Sequence, residues 1–379
     1  IFVANAGHGN KEIISEIKKY LDKPLLHTYT FVNEPRALFL EKLVTMSKSY
    51  FEKAFLLSAG TEATECAVKI MRMYGQKKRK DKVGIISFSG AMHGRTMGAQ
   101  MLRGFDAQAE WIGFKDPNIF HLPFPYTWLS DEKSIDWSKK FDDDLNALIK
   151  NGMKIDKLCG IIIESYLGWG AIFYPIEYIQ ALYKFAKKNN LIVTFDEIQA
   201  GIGRTGKLFA FEHYKVKPDM VCLGKGLSSS LPLSAVLGKK KLIDTPAFGS
   251  MSSTHSGNPL CCAAALANLK FIEKNELIKA SAEKGKLLHK RLNDLKNKYP
   301  NRIKSICGKG LVAGIIMKNP KSNEPDTLFP SKVCELAMYK GLLLVHTGRE
   351  SIKIGPFLTI SYEILNEGLD VLFECFSEL

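Results

Sequence analysis

Two apolar runs end on residues that can do chemistry. Leu191-Ile-Val-Thr-Phe195 is rich in β-formers and stops at a carboxylate, Asp196. Met220-Val-Cys-Leu223 stops at a lysine between two glycines, Gly224-Lys225-Gly226. An acid and an amine, each at the end of its own strand, can hold a flat heterocycle at both ends. A carboxylate against a pyridine nitrogen keeps the ring protonated, and a lysine amine condenses with an aldehyde. That is the chemistry of pyridoxal phosphate, with Asp196 and Lys225 as catalytic pair and Lys225 joined to the cofactor as a Schiff base. The flanking glycines let the backbone pass close to a ring. A partly buried lysine beside other cations also loses its proton more readily. Taken singly, each residue has a plainer reading: an acid capping a strand-end loop, and a lysine in a turn.

Further residues supply the rest of a cofactor site. Ser58-Ala-Gly-Thr-Glu-Ala-Thr-Glu65 runs into a helical segment, Cys66 to Met73. Gly60 and Thr61 then sit at a helix N-terminus, where free amides and the helix dipole favour a phosphate. Gln199 is placed to bond the phenolic oxygen of the ring, and Ile198 to pack on a ring face. In Ser253-Thr-His-Ser-Gly-Asn-Pro259, Thr254 offers a hydroxyl to a phosphate oxygen. Each of these also fits ordinary capping or turn chemistry; their order along one chain favours the site.

The elements that must position them follow from the apolar pattern. Val83 to Phe88, Cys159 to Ile163, Leu191 to Phe195 and Met220 to Leu223 read as buried strands. Glu177 to Asn189 has helical spacing, with Tyr178, Ile179, Leu182, Phe185 and Ala186 on one side. Such alternation predicts an α/β domain with a mainly parallel sheet, and ligands in such sheets bind at the carboxyl ends of strands. From about residue 265 the character changes. Ala265 to Leu295 reads as one long charged helix. Strand candidates follow at Leu311 to Met317, Leu342 to His346 and Ser351 to Ile354, then a helix from Ile364. The expected organisation is an N-terminal segment (1–45), a large cofactor-binding domain (46–265) and a smaller α+β C-terminal domain (266–379).

The chain has 379 residues, 46% hydrophobic, enough for one large domain and a smaller one. No apolar run reaches the roughly 18 residues that span a bilayer, so no membrane partner is expected. The net charge is +14. Lysines spread along helices among acids account for it, and Gln76-Lys-Lys-Arg-Lys-Asp-Lys82 reads as a solvated helix end. No nucleic-acid partner is expected; the positive field would draw in anionic metabolites. Eight cysteines show no C-x-x-C, and Cys261 and Cys262 are adjacent. That favours reduced, buried thiols in a cytoplasmic protein and no metal site. The chain opens at Ile1 without methionine and in mid-pattern, which predicts further sequence before it.

The residues together resemble the class III pyridoxal-phosphate-dependent aminotransferases, the 4-aminobutyrate, ornithine and ω-amino-acid group. The resemblance runs from about residue 4 to the C-terminus. It is carried by Asn5-Ala-Gly-His8, Ala59-Gly-Thr-Glu-Ala63, His93-Gly-Arg-Thr96, the stretch Asp196-Glu-Ile-Gln-Ala-Gly-Ile-Gly-Arg-Thr-Gly206, Lys225 and Thr254. It implies fold type I, His93 beside the cofactor ring, and a homodimer with shared active sites, or a tetramer built from it. Thr254 would then reach the phosphate of the neighbouring subunit. Three positions depart from the family pattern. Met92 stands where an aromatic residue stacks on the ring, and offers a sulfur–aromatic contact instead. Trp169 stands where a glutamate manages a substrate-binding arginine. Lys353 stands where that arginine binds a carboxylate, and a lysine cannot form its bidentate fork; Arg349 is close enough in sequence to substitute. Trp169, Arg349 and Lys353 are therefore the candidate substrate contacts.

The expected function is transamination of a primary, ω- or terminal amine or amino acid with a keto acid acceptor. An epimerase, racemase or decarboxylase on the same scaffold is the alternative. Gly201-Ile-Gly-Arg-Thr-Gly206 imitates a dinucleotide fingerprint, but it neither follows its strand at once nor opens a long helix. His93 lacks a partner at metal-ligand spacing. Tyr29 and Phe31 fit either a substrate pocket or plain packing.

Overall fold

Strands that carry apolar side chains on both faces need cover on both sides, and the chain supplies it. The computed structural model describes residues 2–24, 26–104, 107–129 and 135–379. Its strands are β1 (Lys53–Leu57), β2 (Gly84–Phe88), β3 (Ile119–Leu122), β4 (Leu158–Glu164), β5 (Ile192–Asp196), β6 (Met220–Leu223), β7 (Ser234–Gly238), β8 (Ile303–Lys309), β9 (Val312–Met317), β10 (Val345–His346) and β11 (Ser351–Ile354). Its helices are α1 (Lys11–Leu21), α2 (Glu34–Met46), α3 (Gly60–Gln76), α4 (Met97–Met101), α5 (Trp137–Lys150), α6 (Ile176–Lys188), α7 (Lys240–Ile243), α8 (Pro259–Lys274), α9 (Leu277–Lys298), α10 (Phe329–Tyr339) and α11 (Tyr362–Glu378).

The large sheet has the order β1-β7-β6-β5-β4-β2-β3. The strands β3, β2, β4, β5 and β6 are parallel, and β7 runs antiparallel to both its neighbours. Alternate residues face opposite ways. Ile85, Ile162, Ile192, Met220 and Cys222 meet Ala63, Cys66, Ala67, Ile70 and Met71 of α3. Ile86, Ile161, Ile163, Val193, Phe195 and Val221 belong to the core on the other face, with Tyr178, Ile179 and Leu182 of α6. Each such aliphatic side chain stabilises the fold by about 1.5–3 kcal/mol. The smaller sheet, β10-β11-β9-β8, is antiparallel throughout.

The four strands read from the large-domain sequence all form, as do the helix over α6 and the last helix. Two expectations need correction. Ala265 to Leu295 is not one helix: α8 ends at Lys274, Glu276 adopts a left-handed conformation (φ 48°), and α9 starts anew. The strand expected over Leu342 to His346 pairs only at Val345 and His346. Strand ladders end where the partner strand ends, which local pattern does not reveal.

The two sheets meet at the site. Gly314 of β9 faces the backbone of Gly170, in the loop after β4, and a β-carbon there would collide with the Gly170 carbonyl. Gly314→Ala should therefore shift that loop and cost about 1–3 kcal/mol. A thermal melt should show the lower Tm; an unchanged Tm would mean that the loop yields freely. The glycine-rich turn 201–206 also docks the smaller sheet. Buried Arg204 donates to the carbonyls of Leu311 and Pro356 and to Asn5 Oδ1. That turn serves as packing between the sheets, where the dinucleotide imitation would need a ligand.

Candidate active site

Three adjacent strands deliver the chemistry. Glu164 ends β4 and lies in register with Asp196 at the end of β5. Asp196 in turn pairs with Cys222 of β6, three residues before Lys225. The carboxylate of Asp196 is buried and fully oriented. Its Oδ1 accepts from the Ile198 amide (3.0 Å) and its Oδ2 from His93 Nδ1 (2.8 Å). Only a protonated Nδ1 can bond a carboxylate oxygen, which fixes the tautomer of His93. Its Nε2 lies 3.4 Å from Ser87 Oγ.

Glu164 is the acid that residue-by-residue reading did not single out. Its Oε2 accepts from Met92 N (2.9 Å) and its Oε1 from Gly168 N (3.1 Å). Burial pushes its carboxyl up to about 7; His93 opposes the shift, and Asp196 adds to it. The signal was present in the sequence, since the apolar run Leu158 to Ile163 also stops at an acid.

Lys225 follows β6 in a short turn with φ +36°, an uncommon conformation for a side-chain-bearing residue. Its surroundings hold it there. Asn268 Nδ2 donates to the carbonyls of Gly226 and Leu227, both at 2.9 Å. Gly226 has no side chain because the carboxamide of Asn5 occupies that space. The Lys225 amine forms no hydrogen bond or ion pair among the described residues. Burial moves its pKa down, with Asp196 and Glu164 pulling it partly back.

Helix α3 offers the anion site. Glu62 turns back to accept from Ser58 N (2.9 Å) and Ala59 N (2.8 Å). That leaves the amides of Gly60 and Thr61 at the helix start without an acceptor among the described residues. The Thr61 hydroxyl is already engaged. It lies 2.6 Å from Thr96 Oγ1 and accepts from Thr96 N (3.3 Å), while Thr96 Oγ1 donates to Glu65 (2.7 Å). Thr61 therefore offers an anion its amide, with Thr96 holding its side chain.

These residues fit pyridoxal phosphate. An added β-carbon at Gly60 would lie 3.0 Å from Ile198, and one at Gly224 would lie 3.2 Å from it. The two glycines and Ile198 thus form one close-packed wall, next to an oriented carboxylate, an unpaired amine and free helix amides. Met92 is exposed and adjoins His93.

The candidate substrate contacts fall into two groups. Arg349 is half-exposed and stacks on Trp169, its guanidinium carbon 4.0 Å from the ring centroid. Its nearest acid, Glu350, is 3.5 Å away. Tyr126 stands beside them, its ring centroid 6.4 Å from that of Trp169. Lys353 is buried, and its ammonium donates to Gly168 O (2.7 Å) and Gln199 Oε1 (3.3 Å). Thr254 is exposed before α8; its carbonyl bonds His27, and it makes no hydrogen bond to Gly60, Thr61, Asp196 or Lys225. Tyr29 and Phe31 are exposed, with Arg36 holding both carbonyls. No cluster of metal-ligating side chains occurs among the described residues, nor is any described helix long and apolar enough to cross a membrane.

The family model for class-III aminotransferases matches residues 1–376. A probable 4-aminobutyrate aminotransferase of Bacillus subtilis is 33% identical, covering 97% of this chain and 85% of that protein. An isoleucine 2-epimerase of Lentilactobacillus buchneri is 30% identical over 98% of this chain and 83% of its own. Among solved structures, an amine transaminase from an uncultivated Pseudomonas species, in its pyridoxal-phosphate-bound form, superposes with a TM-score of 0.91. It is 24% identical and covers all of this chain and 89% of its own. The chain belongs to the class-III aminotransferase family, whose cofactor is pyridoxal 5′-phosphate.

Proposed function

We propose that this protein is a transaminase that takes the amino group of a primary amine or amino acid, ω- or terminally placed, and passes it to a keto acid. The observation that carries this reading is an unpaired, part-buried lysine amine beside an oriented carboxylate at adjacent strand ends. When bound, the cofactor supplies an electron sink for the pair released as a carbon–hydrogen bond breaks. Asp196, oriented by His93 and the Ile198 amide, would keep the ring nitrogen protonated. The Lys225 amine would attach the cofactor, and would then carry the proton from the substrate carbon that bears the amine to the cofactor carbon that receives the amino group. Its lowered pKa favours the free-base form that both roles need. The amides of Gly60 and Thr61 would hold the phosphate. Gln199 would donate to the ring oxygen, and Ile198 and Met92 would bound the ring faces.

Arg349, on the Trp169 ring, is the proposed seat for a substrate carboxylate, because Lys353 already spends donors inside the chain. Arg349→Ala should raise KM for a carboxylate-bearing substrate roughly 10- to 100-fold with kcat little changed. Amines without a carboxylate should be unaffected. An equal loss for both kinds of amine would place the substrate elsewhere.

The assembly we propose is a homodimer in which the partner's Thr254 reaches the phosphate. Exposed Phe31, Val32 and Phe248 support it as an apolar surface awaiting cover. Light scattering in solution tests it. The two-domain division is proposed near residue 265, with α8 as the joining helix. A cytoplasmic location rests on the free cysteines, several of them buried.

Donor alone tests the reaction class. A transaminase converts its bound cofactor to the amine form and releases one equivalent of keto product. The second reading, an epimerase, draws on the Lentilactobacillus relative. An epimerase would leave the cofactor unchanged and invert the substrate.

A further inference from the structure

We infer that Lys353 is a positioning residue that fixes which way the Gln199 side-chain amide points, so that its NH₂ group faces the cofactor. The inference rests on the pyridoxal phosphate reading and reassigns a residue that sequence pattern places among the substrate contacts.

Donor and acceptor identities decide how the two side chains meet. An ammonium has three donors and no acceptor; a carboxamide has an oxygen acceptor at one tip and two donors at the other. Lys353 Nζ lies 3.3 Å from one tip of Gln199. Only the oxygen can face an ammonium at that distance, so the usual ambiguity of a glutamine amide does not arise. The NH₂ tip is left pointing away, without an acceptor among the described residues. The ring oxygen of pyridoxal phosphate is an acceptor and needs such a donor. A glutamine lacking this constraint could present its oxygen instead, opposing two acceptors.

The surroundings make Lys353 immobile. Its second donor goes to Gly168 O at 2.7 Å, while the amide of the same glycine donates to Glu164 Oε1 at 3.1 Å. A β-carbon on Gly168 would lie 2.7 Å from Glu164 and 3.4 Å from Gln199 Nε2. The Phe2 ring covers the ammonium, its centroid 4.8 Å away. Lys353 pairs with Gly314 in the β9–β11 ladder, so the smaller sheet itself anchors the contact. Burying an ammonium is costly where an apolar chain of similar length would fit. Burial pushes the Lys353 pKa down to about 8, with Glu164 opposing and Lys225 adding to the shift. A charged group kept in such a place has a task there, and its contacts name it.

A double-mutant cycle on the full-length holoenzyme tests this, using Lys353→Met, Gln199→Leu and both together. Each single change should weaken cofactor rebinding to stripped protein about tenfold, the effect of one hydrogen bond to a charged group. Both should shift the bound cofactor's absorbance in the same direction. In the Gln199→Leu background, Lys353→Met should add less than about twofold. Full multiplication of the two effects would overturn the inference. So would a rise in substrate KM with absorbance and rebinding unchanged, which would make Lys353 a substrate ligand. The Tm of stripped protein separates a loss of folding from a loss of positioning. If Lys353→Met does not fold, Lys353→Gln, too short to reach Gln199, carries the same comparison. Wild-type protein that takes up no pyridoxal phosphate would defeat the underlying reading instead.

Discussion

Replacing Lys225 with alanine should lower turnover by about 10³-fold or more while leaving the fold intact. The size of the loss follows from the two roles proposed for one amine: covalent attachment of the cofactor and transfer of the substrate proton. No other described amine stands ready to replace it. Lys353, a buried cation within electrostatic reach of Lys225, has two donors committed to Gly168 and Gln199. The fold should survive because the turn is held from outside. Asn268 bonds the carbonyls of Gly226 and Leu227, and Asn5 fills the space beside Gly226. Circular dichroism and Tm should match wild type, and the absorbance band of lysine-linked cofactor should vanish. Transamination retained near the wild-type rate would remove Lys225 from the mechanism.

Asp196→Asn should be the second largest loss, about 10²- to 10³-fold in kcat, as when one preorganised charged group is removed from a catalytic centre. Asparagine keeps an oxygen for the Ile198 amide, but its NH₂ then meets the protonated Nδ1 of His93. Two donors in contact force the imidazole into its other tautomer or out of place. The ring nitrogen would lose the carboxylate proposed to keep it protonated. A spectroscopic check is available, because cofactor absorbance reports ring protonation. The lost negative charge should also lower the Glu164 pKa, since Asp196 is among the groups that raise it. Near wild-type kcat in Asp196→Asn would show that ring protonation is maintained by some other group.

The strand ends were legible because burial on both faces writes a continuous apolar run, and a polar residue at its end stands out. Asp196 and Lys225 carried that mark, and Gly60 was legible instead as the start of the helical segment after Ser58. Glu164 carried it too. Its role is visible only once β4 and β5 lie in register and its two oxygens meet Met92 N and Gly168 N. The short strands β1 and β7 leave weaker patterns: β7 is Ser-Ala-Val-Leu-Gly, too small and too brief to stand out. Likewise β8 alternates irregularly and is only partly covered. The break between α8 and α9 turns on one residue, Glu276, in a conformation that its type does not favour. Lys353 shows the limit most plainly. Its neighbours in space are Gly168 and Gln199, 185 and 154 positions away, and no local spacing encodes that meeting. Thr96, which holds the Thr61 hydroxyl, is a similar case.

The central claim is that the cofactor is fixed to this chain through residue 225. Reducing the holoenzyme with borohydride, digesting it and mapping the modified peptide by mass spectrometry tests it directly. The expected result is a single peptide bearing the reduced pyridoxyl group on Lys225. The same group on another lysine, or no modified peptide from protein saturated with pyridoxal phosphate, would contradict the account.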